Sequence, residues 1–475
     1  MPKNILIYAD GTGQAGGLRP DQRLSNVYKL YRATRSGPDS PIDPAEQVAF
    51  YDPGLGTVTA SGAITFSPVE TFKSIAGMAV GLGFQRNVVD CYEAILRHYE
   101  PGDRIYLFGF SRGGYTARAL ANVLNLCGVP TQDGEGGPLP RDGRELRAIA
   151  AEAVHVYGHG AGHPRKTFEI EREALAQRFR SRYGAGKDPN RGDVYPYFMG
   201  VFDSVAALGL PIPIRIILGA VAALAGFGVA SLFAAIMHAW RDWPPAITTA
   251  STFAVLFGAV LLLYLRSTVR MSPKGARARW WPWHFALWHG KHFDRYLDPR
   301  VPIVRHALAV DETRRHFARV EWGGRAEGEK AAREGRAPQL QQRWFPGNHS
   351  DVGGSYAEEE SRLSDLSLQW MLGEALALEH PVRIDRSKLY LFPDAGGPQH
   401  CERHAFRQKH RLLNWFGICW PERLRDIPAT AELDPSVLER FALQEVMQCG
   451  LRRPYRPQSL RTHPATAHYY GDGTP

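Results

Sequence analysis

Residues 103–116 read DRIYLFGFSRGGYT and decide the fold. The first eight of these residues form an apolar run typical of a buried strand, and a helical pattern follows Ser111. Where strand and helix meet, the segment from Gly109 to Gly113 fits the pattern G-x-S-x-G. In this context the pattern predicts a nucleophile elbow, which is a sharp strand-to-helix turn that exposes a reactive serine. The alternative is an ordinary strand-to-helix turn in which Ser111 only caps the helix.

The residues around Ser111 suit such an elbow. Gly109 and Gly113 are small, as the close approach of strand and helix requires. The backbone N–H of Arg112 is expected to point toward a developing oxyanion, and the helix N-terminus adds positive potential there. A second oxyanion donor is expected from the loop after the first strand, either Gly11 or Thr12.

Strand and helix patterns alternate on both sides of this stretch. Apolar runs and apolar periodicity mark the elements. Strands are predicted over residues 4–9, 48–51 and 194–202, and helices over residues 26–33 and 81–99. The alternation is typical of an α/β fold with a mainly parallel central sheet.

A serine nucleophile needs a histidine base and an acid that orients it, and hydrolases with this elbow order them as serine, acid, histidine. Asp203 directly follows a predicted strand, which is where the orienting acid is expected. His349 lies in WFPGNHSDVGG, where a short apolar run leads into a glycine-rich loop. Asp351 is a competing acid, but only two residues from His349 it is expected to shape the loop. We therefore predict a triad of Ser111, Asp203 and His349.

Two further patterns are typical of cofactor or metal sites, but the local sequence argues against both. The glycines of residues 11–16 satisfy G-x-G-x-x-G, yet Pro20 and the polar residues after it leave no helix for a dinucleotide site. Three histidines recur every four residues, but the glycines between them would break the helix that a metal site needs. These histidines are His155, His159 and His163. We expect neither an organic cofactor nor a metal.

Two uncharged segments interrupt the α/β pattern in the middle of the chain. Residues 216–237 give 22 positions without a formal charge, and residues 246–265 give 20 more. Each matches the roughly 20 residues with which a helix crosses a bilayer core. The sequence therefore predicts a transmembrane hairpin, and the alternative is a pair of buried core helices.

The flanks of these segments favour the membrane interpretation. Basic residues precede the first segment and follow the second, so the positive-inside rule predicts that both ends face the cytoplasm. These residues are Arg215, Arg266, Arg270, Lys274, Arg277 and Arg279. Four tryptophans follow and are expected to be interfacial anchors: Trp280, Trp281, Trp283 and Trp288. The alternative is a solvated basic loop whose tryptophans pack on the core.

Composition limits the class of protein. The chain has 475 residues, of which 44% are hydrophobic and 22% charged, and these values exclude a wholly disordered chain. The mean hydropathy of −0.29 argues against a polytopic membrane protein. The net charge of +9 comes with no nucleic-acid-binding motif, so we expect no nucleic-acid partner. Five widely spaced cysteines predict reduced thiols in a cytoplasmic fold.

Five blocks of the sequence together resemble a known family. They are NILIYADGTGQ, GFSRGGYTAR, GVFDSVAALGLP, RHALAVDETRRHF and WFPGNHSDVGGSY. The blocks are similar to the α/β-hydrolase domain of type VI secretion phospholipase effectors and their uncharacterised bacterial and fungal relatives. The resemblance implies an α/β-hydrolase fold, the triad Ser111, Asp203 and His349, and a fatty-acyl ester substrate, best established as phospholipid.

The chain departs from that family's common core between residues 210 and about 305. We therefore predict a first part of the hydrolase core over residues 1–209 and a second part with the C-terminal region over residues 301–475. Residues 210–300 are predicted to be an inserted hydrophobic hairpin with a flank rich in tryptophan and arginine.

The function expected from these observations is a membrane-associated serine hydrolase that cleaves ester bonds of lipids in a phospholipase-like reaction. Its expected partners are the lipid bilayer and a lipid ester. A resident enzyme would sit in the bacterial inner membrane with a cytoplasmic catalytic domain. A delivered effector would insert into the target membrane and would have a secretion-system or immunity protein as partner. The alternatives are a catalytically silent scaffold or partner-binding protein of the same fold, and a soluble esterase whose apolar segments are buried.

Overall fold

The structure is a computed structural model that describes residues 2–11, 23–54, 82–186, 192–205, 212–273, 275, 281–288, 294–323, 338–409, 414–415 and 419–471. The strands of these parts are β1 (Asn4–Ala9), β2 (Gln47–Asp52), β3 (Arg104–Phe110), β4 (Phe198–Phe202), β5 (Val269–Met271), β6 (Trp283–Phe285), β7 (Ile303–Ala309), β8 (Leu340–Phe345), β9 (Glu432–Leu433), β10 (Val446–Gln448) and β11 (Leu451–Arg453). The helices are α1 (Asn26–Thr34), α2 (Leu82–His98), α3 (Arg112–Cys127), α4 (Gly143–Tyr157), α5 (Glu169–Tyr183), α6 (Ile212–Arg241), α7 (Pro245–Thr268), α8 (His349–Gly353), α9 (Arg362–Leu376), α10 (Glu402–Lys409) and α11 (Pro435–Ala442).

A seven-stranded sheet forms the centre of the chain. Its strand order is β2-β1-β3-β4-β7-β8-β9, and every neighbouring pair in it runs parallel. The predicted α/β class with a mainly parallel sheet is therefore confirmed. Two short antiparallel ribbons, β5–β6 and β10–β11, stand apart from this sheet.

Helices cover both faces of the sheet, which is why its central strands are apolar along their whole length. On β1, Ile5 and Ile7 face a cluster that includes residues of α2 to α5. The alternate residues Leu6 and Tyr8 face a cluster that includes residues of α1 and α9. All six residues of β1 are buried, so the predicted strand over residues 4–9 lies in the middle of a three-layer core.

Local signals account for most of the element boundaries. The Ser25 hydroxyl accepts a hydrogen bond from the Tyr28 N–H and caps α1. The strand predicted over residues 194–202 is shorter, because β4 begins only at Phe198. Pro196 has no N–H to donate to a neighbouring strand, which explains the later start.

The two apolar segments form long helices that pack on each other and expose most of their surface. The spans Gly219–Arg241 and Pro245–Thr268 are long and apolar enough to cross a membrane. Only 11% and 6% of their most apolar 18-residue windows are buried. Helices of a soluble core bury such faces, so the interpretation as core helices does not agree with this structure.

The region after α7 corrects two expectations about the flank. Arg270 is 4% exposed and donates to the carbonyls of Ser267 and Val269. Trp288 is 8% exposed and packs beside Phe84 in the core. Neither side chain is a free interfacial group, because the chain folds back onto the α/β domain here. Lys274, Arg277, Arg279 and Trp280 lie outside the described residues, as does the side chain of Arg215.

A disulfide joins Cys401 to Cys449, with 5.0 Å between the two Cα atoms. The expectation of reduced thiols is wrong for this pair. The two cysteines are 48 positions apart in the sequence, and backbone hydrogen bonds from Gln399 to Met447 and from Cys449 to Gln399 join their segments. The remaining cysteines, Cys91, Cys127 and Cys419, are free thiols.

Candidate active site

The residues of the predicted triad lie at the carboxyl edge of the sheet. Ser111 follows β3, Asp203 follows β4, and His349 comes four residues after the end of β8. Gly11 lies after β1, which sits between β2 and β3. The strand order changes direction at this point, and the crevice outside such a switch is a usual place for a site in parallel sheets.

Ser111 occupies the apex of a sharp turn between β3 and α3. Its φ of 58° and ψ of −121° lie outside the helical and strand regions, a strain that non-glycine residues keep only when their surroundings enforce it. A Cβ atom at Gly113 would lie 2.0 Å from the carbonyl oxygen of Ala9. A Cβ atom at Gly109 would lie 2.6 Å from the carbonyl oxygen of Gly113. The two predicted glycines are therefore what lets the helix start so close to the sheet.

His349 lies between the serine and the acid. Its Nε2 is 2.8 Å from Oγ of Ser111, and its Nδ1 is 2.6 Å from Oδ2 of Asp203. The ring stacks on Phe110, and Phe317 also packs against it in an edge-on arrangement. His349 is only 3% exposed, so this packing fixes the orientation of the imidazole between its two partners.

The carboxylate of Asp203 is fully buried and receives three partners. Besides His349, Nη2 of Arg425 lies 2.7 Å from Oδ2, and the N–H of Ala309 donates to Oδ1 at 3.1 Å. Burial alone would raise the pKa of Asp203, but the Arg425 guanidinium and the hydrogen bond with His349 hold it at about 2. The acid is therefore ionised at any pH at which the chain would work.

Asp351 stabilises the loop that carries His349 through hydrogen bonds of its carboxylate. Asn348 caps α8 in a capping box, in which the Asp351 carboxylate accepts from the Asn348 N–H. The same carboxylate accepts from the N–H of His400 and lies 2.7 Å from its Nδ1. Asp351 thus shapes the loop, and Asp203 is the acid in contact with His349. The disulfide begins at the next residue, Cys401.

The predicted oxyanion donors have different surroundings. Arg112 is the first residue of α3, where backbone N–H groups have no partner within the helix. Gly11 lies beside the serine, since a Cβ atom built on it would be 3.4 Å from Cβ of Ser111. Its N–H, however, donates to Oδ1 of Asp10 at 2.7 Å. Thr12 lies outside the described residues.

Two residues of the site, Arg425 and Glu312, are not predicted from the sequence. Arg425 is 222 positions from Asp203 and sits in a region without periodic pattern. Glu312 pairs with Arg314 and lies 3.4 Å from the His349 N–H. A buried carboxylate at a strand end requires a cation, but nothing in the sequence indicates which of the 57 basic residues supplies it.

Within the described residues, one group could hold a metal ion: His159, Glu171 and His284. It contains none of the triad residues. Only His159 belongs to the histidine row seen in the sequence.

A family profile and several known proteins match the chain. The profile described as "T6SS, Phospholipase effector Tle1-like, catalytic domain" matches residues 3–240 and 265–374. The unmatched residues between these ranges include most of α7. The chain is also 22% identical over 452 residues to the uncharacterized protein YEL023C of Saccharomyces cerevisiae, with 79% of this chain and 57% of the yeast protein covered.

Two solved structures are similar to parts of the chain. One is the crystal structure of an uncharacterized protein from Pseudomonas aeruginosa, with 17% identity, a TM-score of 0.35, and coverage of 82% of this chain and 48% of that one. The other is the Tle1 effector bound to the VgrG spike of the type 6 secretion system, with 16% identity, a TM-score of 0.29, and coverage of 76% and 52%. The chain spans about half the length of these relatives. Because the family profile covers most of its residues, this chain belongs to the Tle1-like catalytic domain family of type VI secretion phospholipase effectors, a family whose description implies hydrolysis of lipid esters.

Proposed function

We propose that this chain is a membrane-associated serine hydrolase of the α/β-hydrolase fold that cleaves carboxylic ester bonds of phospholipids. The observation that carries the proposal is the pair of contacts from His349 to Ser111 and Asp203, at 2.8 and 2.6 Å. The parallel sheet, the strained serine between β3 and α3, and the chain order serine, acid, histidine support the fold assignment.

The reaction follows from this geometry. Ser111 Oγ attacks the acyl carbonyl while Nε2 of His349 takes its proton, and His349 later passes that proton to the leaving alcohol. Asp203 holds the imidazole through Nδ1 and stabilises the imidazolium that forms. Arg425 acts on this carboxylate and is a positioning residue. Water then hydrolyses the acyl-enzyme by the same proton transfers in reverse order.

The backbone N–H of Arg112, at the start of α3, is the first proposed hydrogen-bond donor to the tetrahedral oxyanion. Gly11 supplies the second donor only if its N–H leaves the Asp10 carboxylate, and Thr12 is the other candidate. The side chain of Arg112 supports an anionic lipid as substrate. Among the described residues no carboxylate pairs with its guanidinium, and burial lowers its pKa to about 10, so the residue that follows the nucleophile carries a cation that could pair with a lipid phosphate.

The apolar hairpin of α6 and α7 is proposed to anchor the catalytic domain in the bilayer. At the foot of the hairpin, Trp281 and Trp283 are 46% and 38% exposed, as suits residues at a membrane interface. The boundaries predicted from the sequence, a core over residues 1–209 and 301–475 with an insertion over 210–300, stay a proposal. Between its two matched ranges the family profile leaves out only residues 241–264. If carbonate extraction releases the full-length chain from membranes, the anchor is wrong.

The side of the membrane is proposed from the disulfide. A bond between Cys401 and Cys449 favours an oxidising compartment. We therefore propose that the catalytic domain lies outside the cytoplasm, on the side opposite to the one that the positive-inside rule predicts. The match to a family of phospholipase effectors supports delivery into a target cell. A membrane-impermeant maleimide, added to spheroplasts after mild reduction, should label both cysteines. Labelling that occurs only after the spheroplasts are lysed would mean that the domain lies in the cytoplasm. A spike component or an immunity protein is the partner expected for a delivered effector.

A fluorophosphonate probe with lipid mass spectrometry tests the hydrolase. Wild type should be labelled at Ser111 and should release free fatty acid from phospholipid vesicles, and Ser111→Ala should do neither. Ser350→Ala is the matched control. Ser350 follows His349 in the sequence, and its side chain makes no hydrogen bond within the described residues. A folded wild-type chain that the probe does not label would favour a catalytically silent scaffold. Fatty-acid release by Ser111→Ala at the wild-type rate would remove Ser111 as nucleophile.

A further inference from the structure

A second cluster of polar side chains lies beside the ribbon β5–β6. His159 sits in a short 3-10 helix over Gly158–Gly160, Glu171 lies on α5, and His284 lies on β6. They are 1%, 0% and 8% exposed. Each offers one ligand atom, and the three atoms lie within 4.8 Å of one another. Three separate parts of the chain thus bring two imidazoles and a carboxylate into one buried place.

One acceptor atom in this cluster has no partner. Nε2 of His284 lies 2.6 Å from the carbonyl oxygen of His159 and donates to it. The proton is therefore on Nε2, and Nδ1 of His284 carries a lone pair. That Nδ1 is buried without a hydrogen bond, so it loses its hydration without compensation. The carboxylate of Glu171 has the Ser272 hydroxyl as a neighbour besides His159.

The chemistry of these groups suits a metal ion. An imidazole nitrogen with a lone pair and a carboxylate are the forms in which these side chains bind metal ions. Nε2 of His159 lies 2.9 Å from Oε2 of Glu171, and this nitrogen would release its proton when a metal binds, as is usual for histidine ligands.

We propose that His159, Glu171 and His284 form a binding site for a divalent transition-metal ion, with zinc as the best fit. Two imidazoles and one carboxylate are typical zinc ligands. The backbone carbonyl that holds Nε2 of His284 is the kind of outer partner that orients a ligating histidine. Tetrahedral zinc with bonds of about 2.0 to 2.1 Å keeps its ligand atoms about 3.3 Å apart. Nε2 of His159 and Oε2 of Glu171 are 2.9 Å apart, and the three ligand atoms all lie within 4.8 Å of one another.

The surrounding charges make Glu171 the decisive ligand. The guanidinium groups of Arg270 and Arg172 lie near enough to His159 to act on it electrostatically, and their positive field opposes a bound cation. Only the carboxylate of Glu171 offsets this field within the cluster. Neutralising Glu171 should therefore cost more metal affinity than the loss of one neutral imidazole.

The location indicates a structural role for the ion. β6 pairs with β5, which follows α7 directly. The His284 ring also stacks on Phe168, 3.8 Å between ring centres. A metal ion here would link the ribbon β5–β6, which follows the apolar hairpin, to α5 of the α/β domain. It would act independently of Ser111, so the failure of this site would leave the hydrolase proposal intact.

Metal analysis of the purified full-length chain in detergent tests the proposal. After expression with added zinc and extensive dialysis, we expect inductively coupled plasma mass spectrometry to find close to one zinc ion per chain. Glu171→Gln keeps the shape of the side chain and should lose at least nine-tenths of the metal. His155→Gln is the matched control, because this exposed histidine from the same row is outside the cluster, and it should keep the wild-type content.

Two further measurements keep the test decisive. Cobalt should replace zinc and give visible absorption bands of a low-symmetry site, and these bands should be missing in Glu171→Gln. A chelator should lower the unfolding temperature of wild type without reducing fluorophosphonate labelling below the melting range. A folded wild-type chain that holds no stoichiometric zinc or cobalt would overturn the proposal. So would a Glu171→Gln variant that keeps the wild-type metal content.

Discussion

Replacement of Arg425 by glutamine removes the cation that holds the buried carboxylate of Asp203 ionised. The guanidinium lies 2.7 Å from Oδ2, and both side chains are at most 5% exposed. The folded chain lowers the pKa of Asp203 from 3.8 to about 2. A difference of about 1.8 units corresponds to about 2 kcal/mol of stability at neutral pH. Burial opposes this shift, and the Arg425 guanidinium is the largest of the interactions that lower the pKa. Arg425→Gln should therefore forfeit much of this stability, and breaking a buried ion pair typically costs about 3 to 5 kcal/mol.

The pH dependence of this loss has a definite sign. Because the pKa of Asp203 is lower in the folded chain, its stabilisation is complete above the unfolded value of 3.8 and disappears as the pH falls toward 2. The variant lacks most of this contribution at every pH. The difference in unfolding temperature between wild type and Arg425→Gln should therefore be largest at neutral pH and should shrink below about pH 4.

Thermal unfolding in a mild detergent, followed by circular dichroism between neutral pH and about pH 3, measures this difference. Arg423→Gln is the control, since Arg423 is exposed and close by in sequence. Arg425→Lys keeps the charge and should recover part of the stability. In parallel, kcat should fall and KM should stay near wild type, because Arg425 positions the acid and does not bind substrate. A loss of stability that is the same at pH 7 and at about pH 3 would mean that Arg425 acts through packing alone, and the electrostatic argument would be refuted.

Three other changes have expected outcomes. Gly113→Ala should destabilise the chain and abolish probe labelling, because the new Cβ atom would lie 2.0 Å from the Ala9 carbonyl oxygen; labelling at the wild-type rate would contradict the tight turn. Cys449→Ser should cost about 4 kcal/mol by the loop-entropy relation for a loop of 48 residues, and reduction of wild type should lower its unfolding temperature to that of the variant. Leu224→Arg replaces a side chain that is 72% exposed on α6 and should cost about 3 kcal/mol of insertion free energy if the helix spans the bilayer; unchanged membrane retention in carbonate would count against the span.

The sequence predicts the parts of the site that depend on local rules. A strained serine between strand and helix needs glycines at fixed offsets, so the residue pattern alone singles out Gly109 and Gly113. An acid at a strand end follows from the same logic, because parallel strands present their carboxyl ends at one edge. Ser111 and Asp203 could therefore be proposed together from the chain order alone.

The parts that the sequence does not predict depend on contacts between distant segments. Arg425 reaches Asp203 across 222 positions, and the disulfide closes a loop of 48. The histidine row is instructive, because its glycines end the helix at Tyr157, as the sequence predicts, and His159 lies beyond that end. The contacts of His159 are instead with residues 12 and 125 positions away. Periodicity carries no information on such pairs, since they arise only when β6 folds back beside α5.

The active site must lie close to the membrane if the hairpin spans it. Helix α6 begins at Ile212, only nine positions after Asp203, and a fully extended chain covers about 3.3 to 3.6 Å per residue. The triad acid is therefore at most about 32 Å from the start of α6, a distance comparable to the roughly 30 Å hydrocarbon thickness of one bilayer. A domain tethered so closely meets lipid headgroups at a high effective concentration. Lipids of the same membrane, rather than dispersed esters, are the substrates that this arrangement favours.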